Sequence, residues 1–393
     1  MLKRMTRGRY ISLIVTLGLL DAISPFSIDM YLPGFGDIAA SLHTSVATVA
    51  LSLSSYFIGI SVGQLLYGPL LDRHGRKKPL YAGLLLYILS SAACTQVHHI
   101  HPLIVLRFIQ AVGGCGATVA AMAMVRDLFG PKESAKVYSL LLLVIAASPM
   151  LAPTVGSYVI GLFGWRAVFV ILLVMAVLIT LLTVLVLPES YQPDESFSLR
   201  PGPILRNFLS VLREPSFLTY SLSGSLAFAG LFAYVSGSPI VFMGVYHVDK
   251  KTYGWIFAGL SVAFVGLSQF NTLLLKKYTS EQITRVALTA QVLISVLFLA
   301  GNIAGWFGLP QTLFFLFILL ASIGYVFPNA SALTLAPFSK NAGIAASLMG
   351  AMQMGVGALA SVAVSVFANG TATPMIAVMA GSSVLALLTL VFL

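Results

Sequence analysis

Apolar runs of about 20 residues, the length of helix that crosses a bilayer's hydrocarbon core, recur along the whole chain. Short clusters of Gly, Pro and charged residues separate them. Bounded this way, the runs are Tyr10–Pro33, Val46–Leu71, Pro79–Val97, Pro102–Val125, Ala135–Phe163 and Trp165–Leu187. A polar stretch, Pro188 to Pro215, interrupts the series. Six more follow: Phe217–Met243, Tyr253–Leu275, Ile283–Gly305, Leu309–Leu335, Ile344–Ala368 and Pro374–Leu393. A helix satisfies its own backbone hydrogen bonds, which hydrocarbon requires. The pattern therefore predicts twelve transmembrane helices as six, a linker and six.

Composition removes the soluble alternatives. The chain is 58% hydrophobic and 9% charged over 393 residues, against about 25% charged in ordinary soluble chains, too few charges to cover a water-exposed surface. The mean hydropathy is +0.96. Cys94 and Cys115 both fall within apolar runs, so no disulfide framework is expected.

A net charge of +10 would suggest nucleic acid in a soluble protein; here the positions of the charges point to topology and away from nucleic acid. With the N-terminus placed inside, 18 of the 22 Lys and Arg lie in inner segments, the outer ones hold Arg166, Lys250 and Lys251, and Arg107 lies within a span. The positive-inside rule puts both termini in the cytoplasm. The basic start followed by an apolar run resembles a signal peptide. Asp21 interrupts that run and no small-residue cleavage site follows, so it reads as the first span. The last span reaches Leu393, which leaves open whether the natural chain continues.

Asp21, Asp29 and Arg107 are the ionisable residues within spans. A charge at span centre costs about 2.5–3.5 kcal/mol on insertion scales, so such residues usually face a cavity or a partner. Asp21 lies near the midplane, and Asp29 is about 12 Å nearer the outside at 1.5 Å per residue. Arg107 falls at the depth of Asp29, so an Asp29–Arg107 interaction is expected. Asp29 then has two readings, as a proton-exchanging carboxylate or as half of a static ion pair. Asp21 has no charged residue at its depth and is a candidate second proton or cation site. Gln110 and the glycines of the segment Leu106 to Ala117 fit close helix packing.

The connection GPLLDRHGRKKPL, Gly68 to Leu80, places a turn glycine, an acid and four bases in a short inner loop. Asp72 is expected to cap a neighbouring helix and to pair with Arg126 or Arg73, latching the inner side. Gly68, Asp72, Arg73, Gly75 and Arg76 at this spacing resemble the cytoplasmic loop signature of the major facilitator superfamily. Arg107 with Gln110 resembles its fourth-span arginine motif, and SPMLAPTVGS, Ser148 to Ser157, its fifth-span antiporter motif, with Gly156-Ser157 in place of the usual double glycine. SIDMYLP, Ser27 to Pro33, is similar to the Bcr/CflA multidrug exporter branch of the drug:proton antiporters.

That resemblance implies an all-α integral membrane fold of two six-helix bundles, residues 1–187 and 216–393 joined by the cytoplasmic linker 188–215, rocking about a central cavity. It implies that Asp29 is the proton-coupling carboxylate and Arg107 its regulator. Pro149, Pro153 and Gly156 would bend the fifth span and seal the outer half of the pathway. Two prolines within a span permit kinks whatever the family.

Cavity candidates are the polar and aromatic residues within spans: Tyr31, Tyr56, Gln64, Phe228, Phe232, Tyr234, Gln269, Asn271, Asn329, Met349 and Gln353. Aromatics, methionine and amides suit bulky amphipathic molecules, with Asp21 and Asp29 favouring cations. His98, His99 and His101 read as a solvated outer turn rather than a metal site. Glycine patterns such as GVGALA lie within spans with no strand before them and do not cradle phosphate. The expectation is a monomeric, proton-coupled exporter in a bacterial cytoplasmic membrane, with a small-molecule substrate and no cofactor, metal or enzymatic activity. Export of an endogenous metabolite (a siderophore, sugar or amino acid derivative) and a non-transporting receptor on the same fold are the alternatives.

Overall fold

The computed structural model describes residues 7–194, 199–338 and 342–393. Lys3, Arg4 and Lys340, part of the charge count, lie outside the described residues. The first half comprises α1 (Arg7–Asp29), α2 (Phe35–Ser41), α3 (Val46–His74), α4 (Lys77–Cys94), α5 (Ile100–Leu128), α6 (Pro131–Phe163) and α7 (Arg166–Val186). After α8 (Pro201–Leu212), the second half comprises α9 (Pro215–Ser238), α10 (Lys250–Ser261), α11 (Asn271–Leu274), α12 (Ser280–Ile303), α13 (Leu309–Leu335), α14 (Ala342–Val366) and α15 (Thr373–Phe392). Among the described residues there is no strand.

Eleven helical segments are long and apolar enough to cross a membrane. The remaining expected crossing is α4, whose 18 residues make a helix about 27 Å long, close to the hydrocarbon thickness. Its polar side chains Tyr87, Ser90 and Ser91 are buried against neighbours while Leu85 and Leu89 face outward. The span expected at Tyr253–Leu275 is not one regular helix. It runs as α10, a π-helical turn at Val262–Gly266 and the short α11.

Within the first half α1 packs on α5, α6 and α7, while α5 packs on α3 and α4; in the second, α9 packs on α13, α14 and α15. Small residues permit these approaches, as is usual between helices in lipid. A Cβ on Gly113 would come within 2.6 Å of the Gly83 carbonyl oxygen, so the fifth-helix glycines serve packing. The halves meet along two seams, α3 against α14 and α6 against α10. We call the end bearing the Gly68–Leu80 loop the basic end, and the other the opposite end.

Candidate functional site

Arg107 is fully buried in the middle of the first half. Its guanidinium lies 4.4 Å from the ring centre of Tyr31 and 4.2 Å from that of Tyr56, a cation–π arrangement that gains strength away from water. Its two terminal nitrogens donate to Gln110 Oε1 at 2.5 Å and to the Ser27 carbonyl at 2.7 Å, while Nε–H has no partner among the described residues. Gln110 is held in turn by Ser91, 2.7 Å away, and Ser27 by Tyr87, 2.6 Å away. The expected Asp29–Arg107 ion pair does not form. Equal depth says nothing about direction around the helix axis, and both terminal nitrogens of Arg107 are already engaged, by a residue one turn away and by a backbone carbonyl.

Asp29 ends α1 and turns toward the second half. It is 4% exposed, and among the described residues its carboxylate makes no hydrogen bond or ion pair. Tyr234 and Tyr253, both from the second half, sit close enough to interact with it electrostatically. Tyr253 shares a 2.9 Å hydrogen bond with Ser238, whereas the Tyr234 hydroxyl has no partner among the described residues. Gly156 fixes the neighbourhood, because a Cβ there would run into the carbonyl of Met30, the residue after Asp29. Asp21 is deeper, 1% exposed, and among the described residues both its carboxylate oxygens are unpartnered. A buried carboxylate without a partner is costly when charged.

At the basic end the expected latch takes another form. Asp72 pairs with Arg76 at 2.9 Å, four residues on and past the turn at Gly75, rather than with Arg126. Arg76 also pairs with Asp127 at 2.7 Å and lies 4.2 Å from the ring centre of Tyr191. Burial works against the Arg76 charge, and its hydrogen bonds to Asp127 and Asp72 outweigh burial, holding its pKa above the ordinary value. Glu189 accepts the backbone N–H groups of Arg76 at 2.8 Å and Lys77 at 3.1 Å. A carboxylate at that position satisfies orphan donors and complements the positive end of α4. Gly75 permits the turn with φ +80°. Arg73 lies in the last turn of α3, and the Arg126 guanidinium approaches the start of α14, 3.9 Å from where a Cβ on Gly343 would stand.

The cavity candidates are distributed over several places. Tyr31 and Tyr56 belong to the Arg107 nest. Gln64 lies on the α3–α14 seam, its carbonyl accepting from Ser347, and that hydroxyl is 3.7 Å from a Cβ built on Gly68. Phe232 packs on Phe57 across the halves with ring centres 4.5 Å apart, and Phe228 on Phe327 at 4.5 Å. Tyr234 stacks on Phe257 at 5.3 Å, Asn329 donates to Asn271 at 2.8 Å, and Gln353 is 8% exposed. Gln269 is exposed, and Met349 packs beside Phe217. A cavity of about 800 Å³ opens elsewhere, at the opposite end, lined by Pro33, Ser157, Met243 and Lys251 among others. Pro149 and Pro153 lie within α6, and beside Pro153 the Thr154 hydroxyl donates across the halves to the Gly254 carbonyl at 3.2 Å.

The sequence profile of the Major Facilitator Superfamily matches residues 17–365. The chain belongs to the Major Facilitator Superfamily. It is 33% identical over 389 residues to the bicyclomycin resistance protein homolog of Haemophilus influenzae, covering 97% of this chain and 95% of that one. It is 30% identical over 337 residues to the multidrug resistance protein MdtL of Klebsiella pneumoniae, covering 85% and 83%. Among solved structures, a D-xylose–proton symporter matches with a TM-score of 0.75 at 15% identity, over 97% of both chains. A bacterial homolog of the human lysosomal transporter Spinster matches at 0.74 and 15%, over 98% of this chain and 96% of that one. These two share the fold. The protein is therefore a multi-pass membrane transporter of this superfamily.

Some contributors were not anticipated. Asp127, in the last turn of α5, and Tyr191, after the sixth span, join Glu189 in the basic-end cluster; the aromatic after the sixth span was the signal for Tyr191, and nothing in the pattern singled out Asp127. Asp37 pairs with Lys250 at 2.6 Å across the halves. Lys250 stood out as a base on the outer side, but nothing in the pattern named its partner.

Proposed function

We propose that this transporter exports amphipathic, preferably cationic, small molecules in exchange for protons, with Asp29 as the shared binding group. The observation that carries the reading is the Asp29 carboxylate, buried without a partner where the first half meets Tyr234 and Tyr253 of the second. A lone carboxylate there accepts a proton or pairs with a cation and favours one at a time. Binding of each then weakens the other by the same factor. Asp21 supplies a second acceptor deeper in the same helix, and Arg107 keeps a fixed positive charge nearby. The names of the relatives in Haemophilus influenzae and Klebsiella pneumoniae support a drug as cargo.

On this reading residues 1–187 and 216–393 are the moving bundles and 188–215 their linker. The protein works as a monomer in a bacterial inner membrane, the basic end and both termini facing the cytoplasm, and alternating access carries substrate toward the opposite end. The test is proton release from purified protein in weakly buffered detergent when tetraphenylphosphonium or ethidium is added. Wild type is expected to release protons and Asp29→Asn to release none. Release unchanged in Asp29→Asn, or absent from wild type across a broad panel of cations, overturns the assignment; loss in Asp21→Asn alone moves the coupling site to Asp21.

A further inference from the structure

The linker helix α8 (Pro201–Leu212) has a face that the protein does not cover. At 100° per residue, Val211, Ile204, Phe208 and Leu212 form one stripe. That stripe is occupied: Val211 is 1% exposed and packs with Phe208 and Leu212 against Phe217, Ala345 and Leu348 of the second half. Leu205 and Leu209 continue the apolar face by a further quarter turn and are 57% and 45% exposed. Directly beside them, on the side away from the protein contact, stand Arg206 and Arg213, both exposed. Neither makes an ion pair among the described residues, and the helix carries no acidic residue.

The placement of this face decides what covers it. Only Arg213 and Glu214 separate α8 from Pro215, where the chain enters the seventh span, Pro215–Val245. The helix thus lies two residues from the start of a span, and around its axis the two exposed leucines are followed by the two guanidinium groups. Apolar side chains sunk into the acyl boundary and arginines at headgroup level form the pattern of a helix lying in a membrane interface. Arginines on the cytoplasmic surface are attracted by anionic headgroups.

We propose that α8 docks on the cytoplasmic leaflet, with Leu205 and Leu209 inserted and Arg206 and Arg213 bound to anionic phospholipid headgroups. The linker is thereby anchored to the surface at the point where the second half begins. The proposal rests on the basic end facing the cytoplasm and is independent of the cargo. Because the buried stripe of α8 packs on the second half, docking ties that half to the leaflet surface, so headgroup charge becomes a determinant of how freely it moves.

Spin labels at single cysteines replacing Leu205, Asn207, Leu209 and Ser210 test it, in a full-length background with Cys94 and Cys115 changed to Ala and reconstituted in vesicles. In phosphatidylcholine containing phosphatidylglycerol, labels at 205 and 209 should be reached by oxygen and shielded from a nickel chelate, and those at 207 and 210 the reverse. In a background labelled at Leu205, each of Arg206→Gln and Arg213→Gln should lower the docked-to-lifted ratio about fivefold on anionic vesicles, from a headgroup attraction of about 1 kcal/mol per arginine. On pure phosphatidylcholine they should have little effect. Equal nickel access at all four positions, or shielding of 205 and 209 from both reagents as expected for a protein partner, overturns the proposal. So does an arginine effect indifferent to lipid charge.

Discussion

The two ends of this transporter both carry charge pairs, and they differ in what they join. At the basic end Arg76 bridges Asp72 and Asp127, and Glu189 and Tyr191 close over it. Every member comes from the first half or the segment directly after it, and the central guanidinium is 2% exposed. At the opposite end Asp37 and Lys250 come from different halves and are 36% and 38% exposed. A buried, multiply bonded charge cluster is costly to break, whereas an exposed pair is worth little. The first suits a scaffold that must persist, and the second a contact that is cheap to make and break. The basic end is thus built to hold one half rigid, and the opposite end to hold the two halves together lightly.

The largest expected effect comes from breaking the scaffold. Arg76→Ala leaves Asp127 without its counter-charge in a mostly covered position, for which a loss of about 3 kcal/mol is expected. Thermal unfolding in detergent should show a lower midpoint, and protease should cut the segment around Glu189 faster. Distances between labels on the two halves should stay as in wild type. If those distances change while stability does not, the cluster is a latch between halves after all and the comparison fails.

Gly156 tests how the opposite end is fastened within the first half. A methyl group there meets the Met30 backbone, which cannot turn aside as a side chain would. Gly156→Ala should therefore cost about 1–3 kcal/mol and push α6 away from α1. Because Thr154 on the same helix reaches Gly254 of the other half, a rise in substrate-free proton leak into vesicles should accompany the lower stability. Wild-type stability with wild-type leak would mean that α6 is not seated on α1 as described.

These contrasts were unevenly legible in the sequence. The crossings could be read because hydrocarbon demands long apolar helices, and the charged residues within them stood out because lipid makes them rare. Their partners could not be read. Depth along a helix follows from counting residues, but the direction of a side chain is set by packing, so the expected Asp29–Arg107 pair gave way to bonds with Gln110 and Ser27. Likewise Asp72 took the base four residues on instead of Arg126. The apolar spacing of Ile204, Phe208 and Val211 within the polar linker carried the signal for α8, and the charged surroundings concealed it. Contacts between halves such as Asp37–Lys250 leave no local pattern, since 213 positions separate the two residues.

The smallest expected effect is the most discriminating, because it concerns that pair. An exposed ion pair contributes about 0.2–1 kcal/mol, which at most shifts the balance between closed and open opposite ends about fivefold, tenfold being 1.4 kcal/mol. Labels at Ser41 and Thr252, both exposed near the pair, report the separation of the two halves there by pulsed electron spin resonance. Lys250→Ala should enlarge the long-distance population by no more than that factor. High salt should reproduce the change in wild type, since screening acts on exposed charges. The exchange Asp37→Lys with Lys250→Asp should restore the wild-type distribution, because a reversed pair attracts equally and the coupling between the two sites is what a double-mutant cycle isolates. A shift well beyond tenfold, or no recovery in the exchanged pair, would show the opposite end to be held by a strong and specific lock, and the two ends would then differ in position but not in kind.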